Sequence, residues 1–125
     1  MALKDLADKL IQMNKDGQVE ELLANHYAAD AVSVEAAAMN PEMGREAVGL
    51  DAIRAKHAWW EDTMEVNGWE VDGPYLHGED RFSVLFEVDA TTKATGERMK
   101  MKEIAVYHVA GDKVVREEFF YGTDD

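Results

Sequence analysis

Residues 81–121 read RFSVLFEVDATTKATGERMKMKEIAVYHVAGDKVVREEFFY, and the spacing of their apolar side chains decides the fold class. Phe82, Val84, Phe86 and Val88 alternate with Ser83, Glu87 and Asp89. Alternation at period two puts successive side chains on opposite sides of a pleated strand, so this segment predicts a half-buried strand. A loop through Gly96 leads to a second strand, Arg98 to Val109, and Ala110-Gly111-Asp112 turns the chain into a third, Val114 to Tyr121. Long strands joined by hairpins form an antiparallel meander. On the middle strand Met99, Met101, Glu103, Ala105, Tyr107 and Val109 share one face, while Arg98, Lys100, Lys102, Ile104, Val106 and His108 share the other. The first face is the more apolar and is expected to line the core. On the last strand Val115, Glu117, Phe119 and Tyr121 alternate with Val114, Arg116, Glu118 and Phe120. Neither set is purely apolar, so the alternation leaves open which lines the interior and which makes a subunit contact.

Upstream, period two begins at Trp69, Gly73-Pro74 bends that strand because proline cannot donate to a ladder, and Gly78-Glu79-Asp80 forms a tight turn. Before Trp69 the period is helical. Leu50, Ile53, His57, Trp60 and Met64 make one stripe, which Asn67-Gly68 ends. Leu3, Leu6, Leu10 and Met13 mark a first helix, broken by Asp16-Gly17; Val19, Leu22, Leu23 and His26 mark a short second one. Ala31 to Glu35 is a short strand, and residues 36–49, with Pro41, Gly44 and Gly49, are a loop crossing the domain. Striped helices and a one-faced sheet bury each other. The expectation is a single α+β domain over residues 1–125, three helices of the N-terminal half packed on a curved, mostly antiparallel sheet. Curved strands roofed by helices enclose an interior.

Composition excludes several functions. The 125 residues carry a net charge of −13, which argues against duplex nucleic acid or an anionic membrane as partner, because both require clustered lysine and arginine. There is no cysteine, so disulfides, thiolate metal sites and a cysteine nucleophile are excluded. An acidic first turn argues against a secretory signal, no apolar run reaches the ~18 residues of a membrane span, and a cytoplasmic location is expected.

The order of helix, helix, short strand, crossing loop, long helix and meander resembles the nuclear transport factor 2-like superfamily, cystatin-like in fold, and within it the SnoaL-like branch. Tyr27 to Glu35 (YAADAVSVE), Gly44 to Trp60 (GREAVGLDAIRAKHAWW) and Glu103 to Tyr121 (EIAVYHVAGDKVVREEFFY) carry the resemblance. It implies a conical α+β barrel, a ligand-binding pocket inside the cone and homodimerisation through the sheet. In the ketosteroid isomerase branch a carboxylate base follows a Tyr-Ala-Asp-Asp-Ala-type run, and Glu35 holds that place. The branch's two oxyanion donors do not carry over, because Leu10 and Ala105 stand at those positions.

Four residues are candidates for chemistry. Glu35 and Glu103 are carboxylates expected inside the cone, where poor solvation raises a carboxylate toward neutral pH and makes it a usable base. For Glu35 the bland reading is a solvated strand end, and for Glu103 an internal salt bridge. His57, on the helix stripe, and Tyr107, on the inner strand face, would polarise a ligand oxygen; ordinary core roles are the bland readings. Trp59, Trp60, Phe86, Met101, Phe119 and Tyr121 would supply walls. His57 and Glu61 have the i, i+4 spacing of metal ligands, yet no third ligand accompanies them and no HExxH occurs, so no metal is expected. Two readings follow. One is an enzyme of isomerase, cyclase or dehydratase type acting without a cofactor on a small, apolar, carbonyl-containing molecule. The other is a non-catalytic ligand-binding or dimerisation module, joined through the face bearing Ile104, Val106 and His108 with Val114 or Phe120 beside them.

Overall fold

The computed structural model describes residues 2–38 and 41–122. The elements are α1 (Leu3–Lys15), α2 (Val19–His26), β1 (Tyr27–Val34), β2 (Glu46–Val48), α3 (Leu50–Thr63), β3 (Met64–His77), β4 (Arg81–Thr92), β5 (Arg98–Ala110) and β6 (Lys113–Phe120). The strands make one curved, unclosed sheet in the order β2-β1-β6-β5-β4-β3. Only β1 and β6 run parallel; β1–β2, β3–β4, β4–β5 and β5–β6 are antiparallel. The α+β expectation holds, with three helices over the sheet.

Burial follows the stripes. Leu6 and Leu10 of α1, Leu22 and Leu23 of α2 and Ile53 of α3 are buried against Phe82, Val84, Ala105, Tyr107 and Val114 of the sheet. Phe82 and Tyr107 stack at 4.9 Å between ring centroids within this core. β5 keeps the predicted alternation, with Ala105 and Tyr107 buried and Ile104 exposed.

Some boundaries differ from the sequence reading. The third strand starts at Met64, directly after α3, and Asn67-Gly68 lies inside it as a bulge. Val66 pairs with Ala90 and Gly68 with Asp89, so Asn67 is the extra residue, and its amide bonds Thr91 and Asp89. An Asn-Gly pair ends a helix or bulges a strand by the same backbone freedom, so the pair alone does not distinguish them. Gly73-Pro74 is a second irregularity, between Asp72 and Tyr75 of β3. β1 begins at Tyr27, four residues before the predicted strand. The crossing loop contains β2, which pairs with β1 through Val32 and Val48; three residues are too few to show a period.

The ambiguity in β6 has a geometric cause. Val109 pairs with Val114 but His108 pairs with Arg116, leaving Val115 as an extra residue. A bulge flips the faces that follow it. Val114 therefore points inward with Glu117 and Phe119, while Arg116, Glu118 and Phe120 point outward. Val114 is fully buried, so of the two alternatives for the contact face only Phe120 belongs to the outer surface.

Candidate functional site

Five side chains, four from three elements and one just beyond a strand, form a polar cluster inside the cone. β1 contributes Tyr27 and Ser33, α3 contributes Lys56, β6 contributes Glu117, and Glu35 follows the end of β1. The backbone pins Glu35: its N–H donates to the carbonyl of Arg45 at 2.8 Å, and Arg45 Nε returns a bond to the Glu35 carbonyl at 3.1 Å. Ser33 and Glu117 sit side by side in the parallel β1–β6 register.

The cluster is closely paired. Lys56 Nζ donates to Glu35 Oε2 at 2.7 Å and also to the Ser33 hydroxyl. The Ser33 hydroxyl donates in turn to Glu117 Oε2 at 2.9 Å, and the Tyr27 hydroxyl donates to Oε1 of the same carboxylate. The Tyr121 hydroxyl donates to Glu35 Oε1 at 2.9 Å. The Lys56 ammonium also lies 4.9 Å from the centre of the Phe119 ring, a cation–π contact. Burial pushes the Tyr27 hydroxyl well above its ordinary pKa, and the Glu117 charge adds to the effect. Burial, then the Glu35 charge, raises Tyr121 to about 12. Both remain protonated donors at neutral pH.

Three further polar side chains face the same interior with no hydrogen-bond partner: His57, Glu103 and Tyr107. Among the described residues no fully buried side-chain nitrogen or oxygen lacks a partner, so the polar tips of these three are not completely enclosed. Tyr107 is the clearest case, because the residue is only 3% exposed and still has no partner. Glu103 is raised to about 7, first by burial and then by the Glu35 charge. Burial lowers His57, and the Lys56 charge adds to this against the carboxylates of Glu117, Glu61 and Glu35. Its imidazole is therefore neutral at pH 7.

The walls are graded. Phe82, Val84, Ala105 and Tyr107 are buried, while Val88, Met101 and Glu103 are half-buried. Phe86 pairs directly with Glu103 across the β4–β5 ladder. Trp69 lies 6.1 Å from Phe86, ring to ring, and is 37% exposed. Trp59, Trp60, Phe119 and Tyr121 are half-buried. Two concavities, of about 540 and 390 Å³, open elsewhere; the larger is lined by Val34, Arg45, Glu46, Arg116 and Glu118, away from the interior cluster. Among the described residues no group of three or more His, Asp or Glu side chains is arranged to hold a metal ion, and no helix is long and apolar enough to cross a membrane.

The structure thus brings Glu35, Glu103, His57 and Tyr107 to one interior, but divides them. Glu35 is tied to Lys56 and Tyr121; the other three are unpaired. Sequence reading missed Lys56, Ser33, Tyr27 and Trp69. Lys56 lies three residues after Ile53, on the apolar stripe, and a cation there signals a buried anion to meet it.

The model of the SnoaL-like domain matches residues 1–121. The chain belongs to the SnoaL-like family. The fold of this SnoaL-like chain is shared with several solved structures. A Mesorhizobium loti protein, named a candidate SnoaL-like polyketide cyclase and also a carbohydrate phosphatase, is 35% identical over 97% of this chain and 100% of its own, with a TM-score of 0.87. A nuclear transport factor 2-like protein of Burkholderia thailandensis has a TM-score of 0.84 at 16% identity, covering 98% of this chain and 92% of that one. A Xanthomonas campestris protein with a cystatin-like fold has a TM-score of 0.79 at 16% identity, covering 99% and 92%. The last two share the fold alone. Among curated proteins none matches the SnoaL-like chain.

Proposed function

We propose that this SnoaL-like chain binds a small, largely apolar carbonyl compound inside the cone and moves a proton on it without a cofactor. Glu103 is the base. The observation that carries this reading is its carboxylate, half-buried, unpaired and raised to about 7, on the same strand face as the unpartnered hydroxyl of Tyr107. A base whose pKa lies near the working pH combines availability with proton affinity. Glu103 takes the proton from the carbon beside the carbonyl, and the electron pair moves onto the oxygen, where Tyr107 donates a hydrogen bond. Return of the proton from Glu103 to another carbon gives isomerisation; attack by the enolate carbon on a second carbonyl, whose oxygen takes up that proton, gives cyclisation; departure of a β-hydroxyl as water with that proton gives dehydration. Neutral His57 serves as a second donor or proton carrier. The paired cluster of Glu35, Lys56, Ser33 and Glu117 positions the walls. A cytoplasmic setting belongs to the same reading.

Deuterium exchange of the α-protons of simple ketones, followed by proton NMR, tests the base without knowledge of the physiological substrate. The rate is expected to rise with pH through about 7 and then level off. Glu103→Gln is expected to lower it about a hundredfold or more. If Glu103→Gln exchanges at the original rate while Glu35→Gln does not, the base is Glu35.

The outer sheet face favours a second property, homodimerisation. Leu85, Ile104 and Phe120 lie side by side across β4, β5 and β6, with Ile104 48% and Phe120 51% exposed. A second copy covering this face would remove that apolar surface from water. Light scattering is expected to give twice the 14.0 kDa chain mass, and Phe120→Lys to give a monomer. A monomeric parent protein at micromolar concentration would exclude the dimer.

A further inference from the structure

The proposed site contains more negative charge than the chemistry of a neutral ketone calls for. Glu35, Glu103 and Glu117 face Lys56, whose ammonium is already committed to Glu35, Ser33 and the Phe119 ring. The other nearby cations are turned elsewhere: Arg116 bonds Glu118 on the outer face, Lys102 pairs with Glu87, and the exposed Arg45 bonds the main-chain carbonyl of Glu35. An anion entering the cone would therefore meet the unpaired Glu103 and a Glu117 held only by the neutral hydroxyls of Tyr27 and Ser33. A cation would meet the unpaired Glu103, with the Phe86 ring beside it on the ladder and Trp69 against Phe86. Phe119 already holds an ammonium over its face, so the same interior accommodates that geometry once. The net charge of −13 further raises the local concentration of cations.

A separate observation points to a ligand with two functions. The Tyr107 hydroxyl, nearly enclosed and without a partner, lies on the same face of β5 as Glu103 and can donate to an oxygen. We infer that the interior selects small molecules carrying an ammonium or quaternary ammonium group near a carbonyl or hydroxyl oxygen, and rejects anions. The inference rests on the interior being a ligand site, as proposed above. It adds a chemical advantage: a positive charge near the reacting carbon stabilises the electron pair left when Glu103 removes the proton.

Three probes of nearly equal shape separate the charge effect: choline, 3,3-dimethylbutan-1-ol and 3,3-dimethylbutanoate. They are titrated by ligand-observed NMR at pH 8 and near-physiological salt, which screens attraction to the outer surface. Choline is expected to bind about tenfold more tightly than the alcohol, with the carboxylate weakest. Glu103→Gln, which removes a destabilising charge and so retains the fold, is expected to bring choline within about twofold of the alcohol, while exposed Glu65→Gln leaves the preference intact. Equal binding of choline and the alcohol, a preference for the carboxylate, or a choline preference that survives Glu103→Gln would overturn the inference. The two proposals fail separately. Ketone exchange without choline preference removes only the charge selection; choline preference without exchange of any ketone removes only the catalytic role.

Discussion

Replacing Lys56 by methionine is expected to lower the unfolding free energy by about 3–5 kcal/mol at neutral pH, measured by urea denaturation. The side chains of Lys56 and Glu35 are 9% and 8% exposed, with 2.7 Å between ammonium and carboxylate. Methionine nearly matches lysine in length and keeps contact with the Phe119 ring, so the loss isolates the charge. Without the ammonium, Glu35 keeps only the Tyr121 hydroxyl, and Ser33 loses the donor to its oxygen. A charge left alone in the interior is the expensive outcome, whereas removing both members of a pair is often close to neutral. Lys56→Met combined with Glu35→Gln is accordingly expected to recover most of the loss, and the single variant should suffer less at acid pH, where a carboxylate takes up a proton. A single-variant loss below about 1 kcal/mol would mean the pair behaves as a solvated one.

Replacing Glu103 by glutamine is expected to have the opposite sign. Its carboxyl ionises near 7 in the folded chain against an ordinary 4.5. Below about 4.5 both folded and unfolded chains hold the proton, so the group makes no difference there. Between about 4.5 and 7 the unfolded chain loses the proton first, the folded chain binds more protons, and stability falls as pH rises. Above 7 the penalty is constant, at about 3 kcal/mol for the full displacement. Glu103→Gln should therefore match the parent protein at pH 4 and exceed it by up to about 3 kcal/mol at pH 8, read from urea midpoints across pH. A gain that is the same at pH 4 and pH 8 would show that the carboxyl is not raised. A residue that destabilises its own fold and has no partner within it is what a site maintained for function looks like, since groups suited to a ligand are not suited to the empty protein.

Much of the architecture was legible in the chain. The helical stripes of Leu3–Met13 and Leu50–Trp60 and the alternation of Phe82–Val88 reflect the geometry of single elements, which local spacing reports directly. The inward face of β5 was readable for the same reason. Errors arose where one local signal serves two structures. Asn67-Gly68 has the backbone freedom of a helix stop and of a bulge, and only pairing with β4 shows which it is. The extra residue at Val115 reverses the faces of β6, and nothing in β6 alone announces it.

The site divides along the same line. That Glu35, Glu103, His57 and Tyr107 belong to one interior could be argued from position within elements and from family resemblance. Which of them are free depended on partners far away in sequence: Lys56 is 21 residues from Glu35, Tyr121 is 86, and Glu117 is 84 from Ser33. Periodicity determines the direction in which a side chain leaves its element, because that is a property of local backbone geometry. It carries no information about which charges meet across the core. Local spacing thus establishes helices over a curved sheet and leaves the surroundings of its carboxylates open; the pairing of Lys56 with Glu35, which leaves Glu103 without a partner, emerges only in the folded chain, because a hydrogen bond is made by distance in space and not by separation along the chain.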